Sequence, residues 1–150
     1  MKNIFLLLLL SVAVTSCVHS QNVTPDERQK KDIYSLIEKY SQARETRDTL
    51  LLKEILAIEV DQLVSTGEWR DGISASVKGM LNSSATSPGT RTLTIEKIRL
   101  LNPNCAIVDC KYDIRNTDGT TRRMWSTFIV VSNRGIWKIS AIRNMLPGGQ

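Results

Sequence analysis

Apolar residues recur at helical spacing in the segment that follows residue 24. These residues are Ile33, Leu36, Ile37, Tyr40 and Ala43. Charged residues occupy the other sides of the helix. Such a stripe is typical of a helix that packs one side on a core. The pattern therefore predicts one amphipathic helix of about six turns.

Polar residues mark the expected ends of this helix. Thr24 is suited to the N-cap and Pro25 to the first helical position, with acidic side chains next to the positive end of the helix dipole. The apolar period ends near Arg47. Asp48 and Thr49 follow and can cap a second, shorter helix.

The middle of the chain changes period twice. The second helix would hold Leu52, Ile55 and Leu56, and alternation over 60–64 then predicts a short strand. Apolar residues four apart from Ile73 to Leu81 predict a third helix that opens at Gly72. The Ser-rich segment 82–90 is predicted to be a loop.

The C-terminal part is predicted to form an antiparallel sheet. Four segments rich in β-branched and apolar residues are separated by turn residues, and these segments are Arg91–Leu101, Cys105–Asn116, Arg122–Ser132 and Ile136–Met145. Asp118-Gly119 is a preferred centre for a two-residue type I′ hairpin. A four-residue turn over 132–135 would join the last two strands.

These turns predict the strand register and hence the two faces of the sheet. With Asp118 and Gly119 at the centre, Tyr112 faces Trp125 and Cys110 faces Thr127; the last turn then sets Thr127 beside Ser140. Tyr112, Trp125, Thr127 and Asn144 would share one face, and Arg143 would point to the other. Both faces are largely apolar, which predicts helices on one side and a partner subunit or loops on the other.

The first residues resemble an export signal. MKNIFLLLLLSVAVTSC combines an early lysine, an apolar run and small residues, and it is too short to favour a membrane-spanning helix. Val14–Cys17 is similar to a bacterial lipoprotein box, with Cys17 as the lipidated residue; alternatively, Val18–Ser20 is an ordinary cleavage site before Gln21. We thus expect a signal and tether over 1–20 and one domain over 21–150, periplasmic and membrane-anchored through the lipid, or else secreted.

Composition excludes several classes of function. The chain has 150 residues and a net charge of +5, but its basic residues are dispersed among acids, which argues against nucleic-acid binding. Its one histidine, His19, lies beside the leader, so the domain cannot build a histidine triad or a histidine-ligated metal site. We expect no cofactor. Cys105 and Cys110 lie on one predicted strand, too far apart for a disulfide.

Three stretches resemble the SnoaL-like members of the nuclear transport factor 2-like (NTF2-like) superfamily. They are Tyr40–Asp48, the Gly72-Ile73 pair at the third helix, and Trp137–Ile139 with Arg143–Pro147. The resemblance spans nearly the whole mature chain. It implies an α+β fold of the cystatin-like or NTF2-like type: a cone of three N-terminal helices on a curved antiparallel sheet, with a cavity inside.

The same superfamily contains the ketosteroid isomerases, whose chemistry uses an Asp base and an oxyanion hole of Tyr and protonated Asp. The resemblance aligns the tyrosine with Tyr40, the base with Leu63 and the second oxyanion donor with Thr127. Leucine cannot take a proton, which argues against isomerase chemistry. Asp61 is the remaining candidate base, although alternation along the strand can turn it away from the cavity.

Six residues are therefore candidates for the pocket, and they are Tyr40, Trp69, Tyr112, Trp125, Thr127 and Asn144. Arg143 is expected to pair with Asp109 or Asp113 on the opposite face. Two functions stay open. One is a tethered domain that binds an unidentified small molecule, with catalysis undecided; the other is a non-catalytic homodimeric module that associates through its outer sheet face.

Overall fold

Three helices and six strands are formed by residues 24–148, which the computed structural model describes. The helices are α1 (Glu27–Thr46), α2 (Thr49–Ile55) and α3 (Gly72–Thr86). The strands are β1 (Leu56–Leu63), β2 (Trp69–Asp71), β3 (Gly89–Asn102), β4 (Cys105–Asn116), β5 (Thr121–Asn133) and β6 (Ile136–Met145). The predicted leader and Cys17 lie outside the described residues.

The predicted stripe of α1 is buried, but the helix begins later than expected. Its N-cap is Asp26, whose carboxylate accepts a hydrogen bond from the Gln29 amide at 2.7 Å while the Gln29 side chain accepts one from the Asp26 amide at 3.1 Å. This capping box satisfies the backbone amides of both Asp26 and Gln29, so the helix begins at Glu27 rather than at Pro25. The predicted end is confirmed, because Arg47 is left-handed with φ 57°.

The six strands form one mixed sheet in the order β2-β1-β6-β5-β4-β3. β1 runs parallel to β6, and the other neighbours are antiparallel. The prediction of an antiparallel sheet is therefore correct except where β1 pairs with β6. Within residues 24–148, no helix is both long and apolar enough to cross a bilayer.

Most of the predicted loop over 82–90 is wrong, because α3 continues to Thr86 and β3 starts at Gly89. The side chain of Arg91 explains the extension. Its guanidinium donates to the carbonyls of Ser83, Ser87 and Gly89, at 3.4, 2.5 and 3.1 Å. Carbonyls at a helix C-terminus otherwise lack partners, so this contact stabilises the last turn.

The predicted register between β4 and β5 is wrong by one residue. The amide of Gly119, a residue with φ 84°, donates a hydrogen bond to the Asn116 carbonyl. The Asn116 amide in turn donates to the Thr120 carbonyl. The loop is thus a three-residue connection with a left-handed glycine, rather than a two-residue type I′ turn. The Asp118 carboxylate accepts from the Thr120 amide at 2.9 Å, which stabilises this loop.

The last hairpin also differs from the prediction. Arg134 and Gly135 both have positive φ and form a two-residue turn, so Asn133 pairs with Ile136. An irregularity between the Ile129 and Val130 pairs then leaves out Ser140. Further along, Thr127 lies beside Arg143 rather than beside Ser140.

The helices cover one face of the sheet, which we call the inner face. Its buried residues on the last three strands include Val108, Cys110, Phe128, Ile139 and Ile142. The opposite, outer face carries Trp125 and Thr127 as a result of the corrected register. The predicted sharing of one face by Tyr112 and Trp125 is therefore wrong, since Tyr112 faces Met124.

Candidate functional site

A cleft of about 340 Å³ opens at one end of the inner face, where α1, α3, β1 and the ends of β4 and β5 meet. The residues that give it chemical character are Arg44, Gln62, Arg70, Tyr112, Met124 and Asn144. A wider depression of about 510 Å³ lies between α1, α2 and the start of β6. We regard the first as the candidate site, because one of its walls holds a buried arginine with an unpaired nitrogen.

That arginine is Arg44, in the last turn of α1. Tyr40 lies one helical turn earlier, and its hydroxyl accepts a hydrogen bond from Arg44 Nη1 at 3.0 Å. Tyr40 also packs edge-to-face on Phe128, with the ring centroids 5.2 Å apart. Burial raises the pKa of Tyr40 above its ordinary value, so the phenol stays neutral at neutral pH. Tyr40 is thus a buried core residue that orients the arginine on the cleft wall.

A second arginine, Arg70, reaches the cleft from β2. Its Nε donates to the Glu68 carboxylate at 2.9 Å, and its Nη1 donates to the buried Gln62 side chain at 3.3 Å. Its guanidinium lies over Gly79 of α3, where an added Cβ would collide with it. The absence of a side chain at residue 79 therefore leaves the space that the arginine occupies.

Asn144 lies on the cleft wall at the end of β6. Its side-chain oxygen accepts a hydrogen bond from Ser126 at 2.6 Å. Because the oxygen is engaged, the amide nitrogen is the group left to donate to a bound molecule. Tyr112, from β4, lines the same cleft next to Met124.

Tyr40 lies in the core behind the wall of the cleft, and the other three candidate residues lie outside the cleft. Thr127 donates to the Asp109 carboxylate at 2.7 Å on the outer face, and Trp125 lies beside Lys111, whose ammonium is 6.0 Å from the indole ring. Trp69, at the sheet edge, stacks with the Arg143 guanidinium at 4.7 Å. The sequence had placed Trp125 and Thr127 on the face of Asn144 because it did not predict the irregularity that leaves out Ser140, after which Ser126 lies beside Asn144.

Arg143 forms a different ion pair from the one predicted. Two of its nitrogens contact the Asp61 carboxylate, at 3.0 and 2.8 Å, so neither Asp109 nor Asp113 is its partner. This ion pair joins β6 to the parallel strand β1. It also holds Asp61 away from the cleft, which removes the carboxylate that the sequence offered as a base.

Gln62, rather than Leu63, is the β1 residue that faces the cleft at the level of the aligned base. The amide side chain of Gln62 does not act as a base near neutral pH. Among the described residues that line the cleft, Glu68 supplies the carboxylate. Its hydrogen bond from Arg70 lowers the pKa of this carboxylate. The cleft therefore offers donors and positive charge more readily than a proton acceptor.

Sequence reasoning missed Arg44, Gln62 and Arg70. Arg44 could have been found, since it lies four residues after Tyr40 and so shares the buried stripe of α1. Gln62 alternates with Asp61, and only the strand's neighbours decide which of the two faces inward. Within residues 24–148, no cluster of three metal-binding side chains occurs.

The two cysteines of the described chain lie on β4 as predicted, and both are free thiols. Cys105 is partly exposed and Cys110 is buried. Burial, together with the nearby carboxylates of Asp109 and Glu96, raises the pKa of Cys110 to about 12. Cys110 is therefore an apolar core residue rather than a nucleophile of the cleft.

Solved structures show where this architecture occurs elsewhere. An NTF-2 like protein of unknown function from Shewanella oneidensis is 19% identical, with a TM-score of 0.66 over 77% of this chain and 98% of that one. A cystatin-like-fold protein from Caulobacter vibrioides is 19% identical, with a TM-score of 0.68 over 80% and 90%. An NTF2-like superfamily protein from Salmonella enterica is 17% identical, with a TM-score of 0.65 over 81% and 92%.

No protein-family model matches the chain, and no curated protein matches it. At identities this low, the structural similarity establishes the NTF2-like, cystatin-like α+β fold and nothing about chemistry.

Proposed function

We propose that this chain is an exported, SnoaL-like domain that binds a small molecule in the cleft beside Arg44 and Asn144. Lipidation at Cys17 would tether it to a membrane, and residues after the tether would form the binding domain. The proposal assigns no reaction. The residues that reach the cleft can orient a bound molecule by hydrogen bonds, and the carboxylate available there is already engaged by Arg70.

One observation supports binding above all: the wall of the cleft holds a buried arginine with a nitrogen that the fold of residues 24–148 leaves without a hydrogen-bond partner. Arg44 Nε lacks a hydrogen-bond partner among the described residues, and Asn144 has its oxygen fixed by Ser126. Buried polar groups are normally satisfied, so incompletely bonded ones on a cavity wall are typical of a binding site. A volume of about 340 Å³ suits a small organic molecule.

A homodimeric module is the second candidate, and the outer face supports it. Trp69 is 53% exposed and Trp125 is 39% exposed, each beside a cationic side chain. Exposed tryptophans of this kind are enriched in protein interfaces. Sedimentation of the wild type and of Trp125→Ser would test it, since a dimer formed by this face would dissociate in the variant.

A thermal-shift screen against steroids, aromatic polyketide-like compounds, terpenes and fatty acids tests ligand binding. A molecule that binds the folded state alone raises the melting temperature by mass action. Asn144→Ala and Tyr40→Phe should weaken a hit, because one removes a donor and the other a group that orients Arg44. Thr127→Ala is the matched control on the outer face and should leave the shift unchanged. Equal loss in all three variants would contradict a site in the cleft.

Export and tethering need a separate test, in a bacterial host. The wild type should fractionate with membranes and incorporate labelled fatty acid, and Cys17→Ala should do neither. Recovery of an unlipidated protein that begins at Gln21 would instead establish the ordinary cleavage site.

A further inference from the structure

We infer that the cleft is built for a small organic anion, with a carboxylate held by Arg44. This inference rests on the proposed function, because it names the chemical class of the molecule that the cleft would bind.

The first step concerns the charge of Arg44. Its side chain is 6% exposed, and its hydrogen bond is to the neutral Tyr40 hydroxyl. No carboxylate of residues 24–148 forms an ion pair with it. The C-terminal end of α1 offsets part of the charge. A guanidinium cannot escape by losing its proton, so the fold carries a buried cation whose partner is missing.

The second step concerns the rest of the cleft. The charged residues on its wall are three arginines, Arg44, Arg70 and Arg122, and one acid, Glu68. Since Glu68 is paired with Arg70, the remaining potential is positive. A bound anion would supply the partner that Arg44 lacks, because the arginine lines the cleft and a planar carboxylate suits the flat set of donors of a guanidinium.

The third step separates an organic anion from a simple inorganic one. Apolar side chains, Val64, Ile114 and Met124, share the cleft with Arg44. A bare sulfate or phosphate would leave them in contact with water. A carboxylate on a small apolar body would contact them while its charged end meets the arginine.

The experiment compares isosteric probes with the protein produced from the full chain. Benzoate and its neutral analogue benzamide are titrated at low ionic strength by calorimetry and thermal shift, with sodium sulfate and phosphate as inorganic probes. We expect benzoate to bind at least tenfold more tightly than benzamide, sulfate or phosphate. The benzoate shift should also shrink as salt rises, since a charge contact contributes to it.

Variants then assign the effect to a residue. Arg44→Met keeps the length of the side chain and should weaken benzoate at least tenfold. Without ligand it should melt no lower than the wild type, because a buried unpaired charge has been removed. Arg28→Met removes an exposed arginine from the same helix and should leave binding unchanged. If Arg44→Met fails to fold, benzoate and benzamide are compared on the wild type and on Arg28→Met. A preference for benzoate in both proteins would still support binding of an anion, and its absence would overturn it.

The outcomes separate the two proposals. Tight binding of a neutral compound from the wider screen, unaffected by Arg44→Met, would overturn the anion inference and leave the binding function standing. Equal binding of sulfate and benzoate would overturn the organic part of the inference. No binding by any probe or by the screen would overturn both.

Discussion

The contact between Arg70 and Gly79 offers a sharp test of how the cleft is packed. Gly79 lies in the interior of α3, where replacing glycine with alanine normally stabilises a helix by about 0.8–1.0 kcal/mol. Here the new methyl would collide with the guanidinium and Cδ of Arg70. Gly79→Ala must therefore displace Arg70 from the space between β2 and α3.

The displacement has a cost that can be estimated. Arg70 would lose its 3.3 Å hydrogen bond to Gln62, whose side chain is buried, at about 1 kcal/mol. That loss is close to the helix-propensity gain, so Gly79→Ala in the wild type should change the free energy of unfolding little. In an Arg70→Ala background nothing is displaced, and the same substitution should stabilise by about 1 kcal/mol.

Urea unfolding of the four proteins of this double-mutant cycle measures the coupling directly. Ala75→Gly, at an exposed position of the same helix, is the control and should cost about 1 kcal/mol in both backgrounds. Stabilisation by Gly79→Ala of about 1 kcal/mol in both backgrounds would refute the idea that Arg70 occupies this space. A coupling near zero would likewise show that the arginine does not hold Gln62 across the cleft.

Three further predictions concern the core and the outer face. Phe128→Ala should lower the free energy of unfolding by about 3–5 kcal/mol, because the ring is fully buried; urea denaturation would show a smaller loss if the site collapses. Iodoacetamide at pH 8 should label Cys105 well before Cys110 in site-resolved mass spectrometry. Because the folded pKa of Cys110 lies above 9.0, the residue's contribution to stability is complete below about pH 9 and should be lost as pH rises toward 12; equal labelling of both thiols would contradict its burial. Asp61→Asn and Arg143→Met should couple by about 0.5–1 kcal/mol in a double-mutant cycle, and additivity would mean that the bidentate contact is not kept in solution.

Local periodicity determined that three helices form and which side of α1 is buried, but not the first residue of α1 or the last turn of α3. The apolar stripe of α1 and the Asp48 cap of α2 are confirmed, because a side chain's position on a helix depends on its neighbours three and four residues away. The α+β class and the antiparallel part of the sheet followed from the same local patterns. The N-cap at Asp26 could also have been predicted, since Gln29 three residues later completes a capping box.

Tertiary structure alone decided which residues share the cleft. In a strand the side chains alternate, so one residue of error in the Asp118-Gly119 loop exchanged the faces of Trp125 and Thr127 with those of Met124 and Ser126. The parallel pairing of β1 with β6, which turns Gln62 inward and Asp61 outward, joins segments about 80 residues apart and leaves no local pattern. The unpaired charge of Arg44 is of the same kind, because a missing partner can be recognised only after every neighbour of the buried guanidinium has its place.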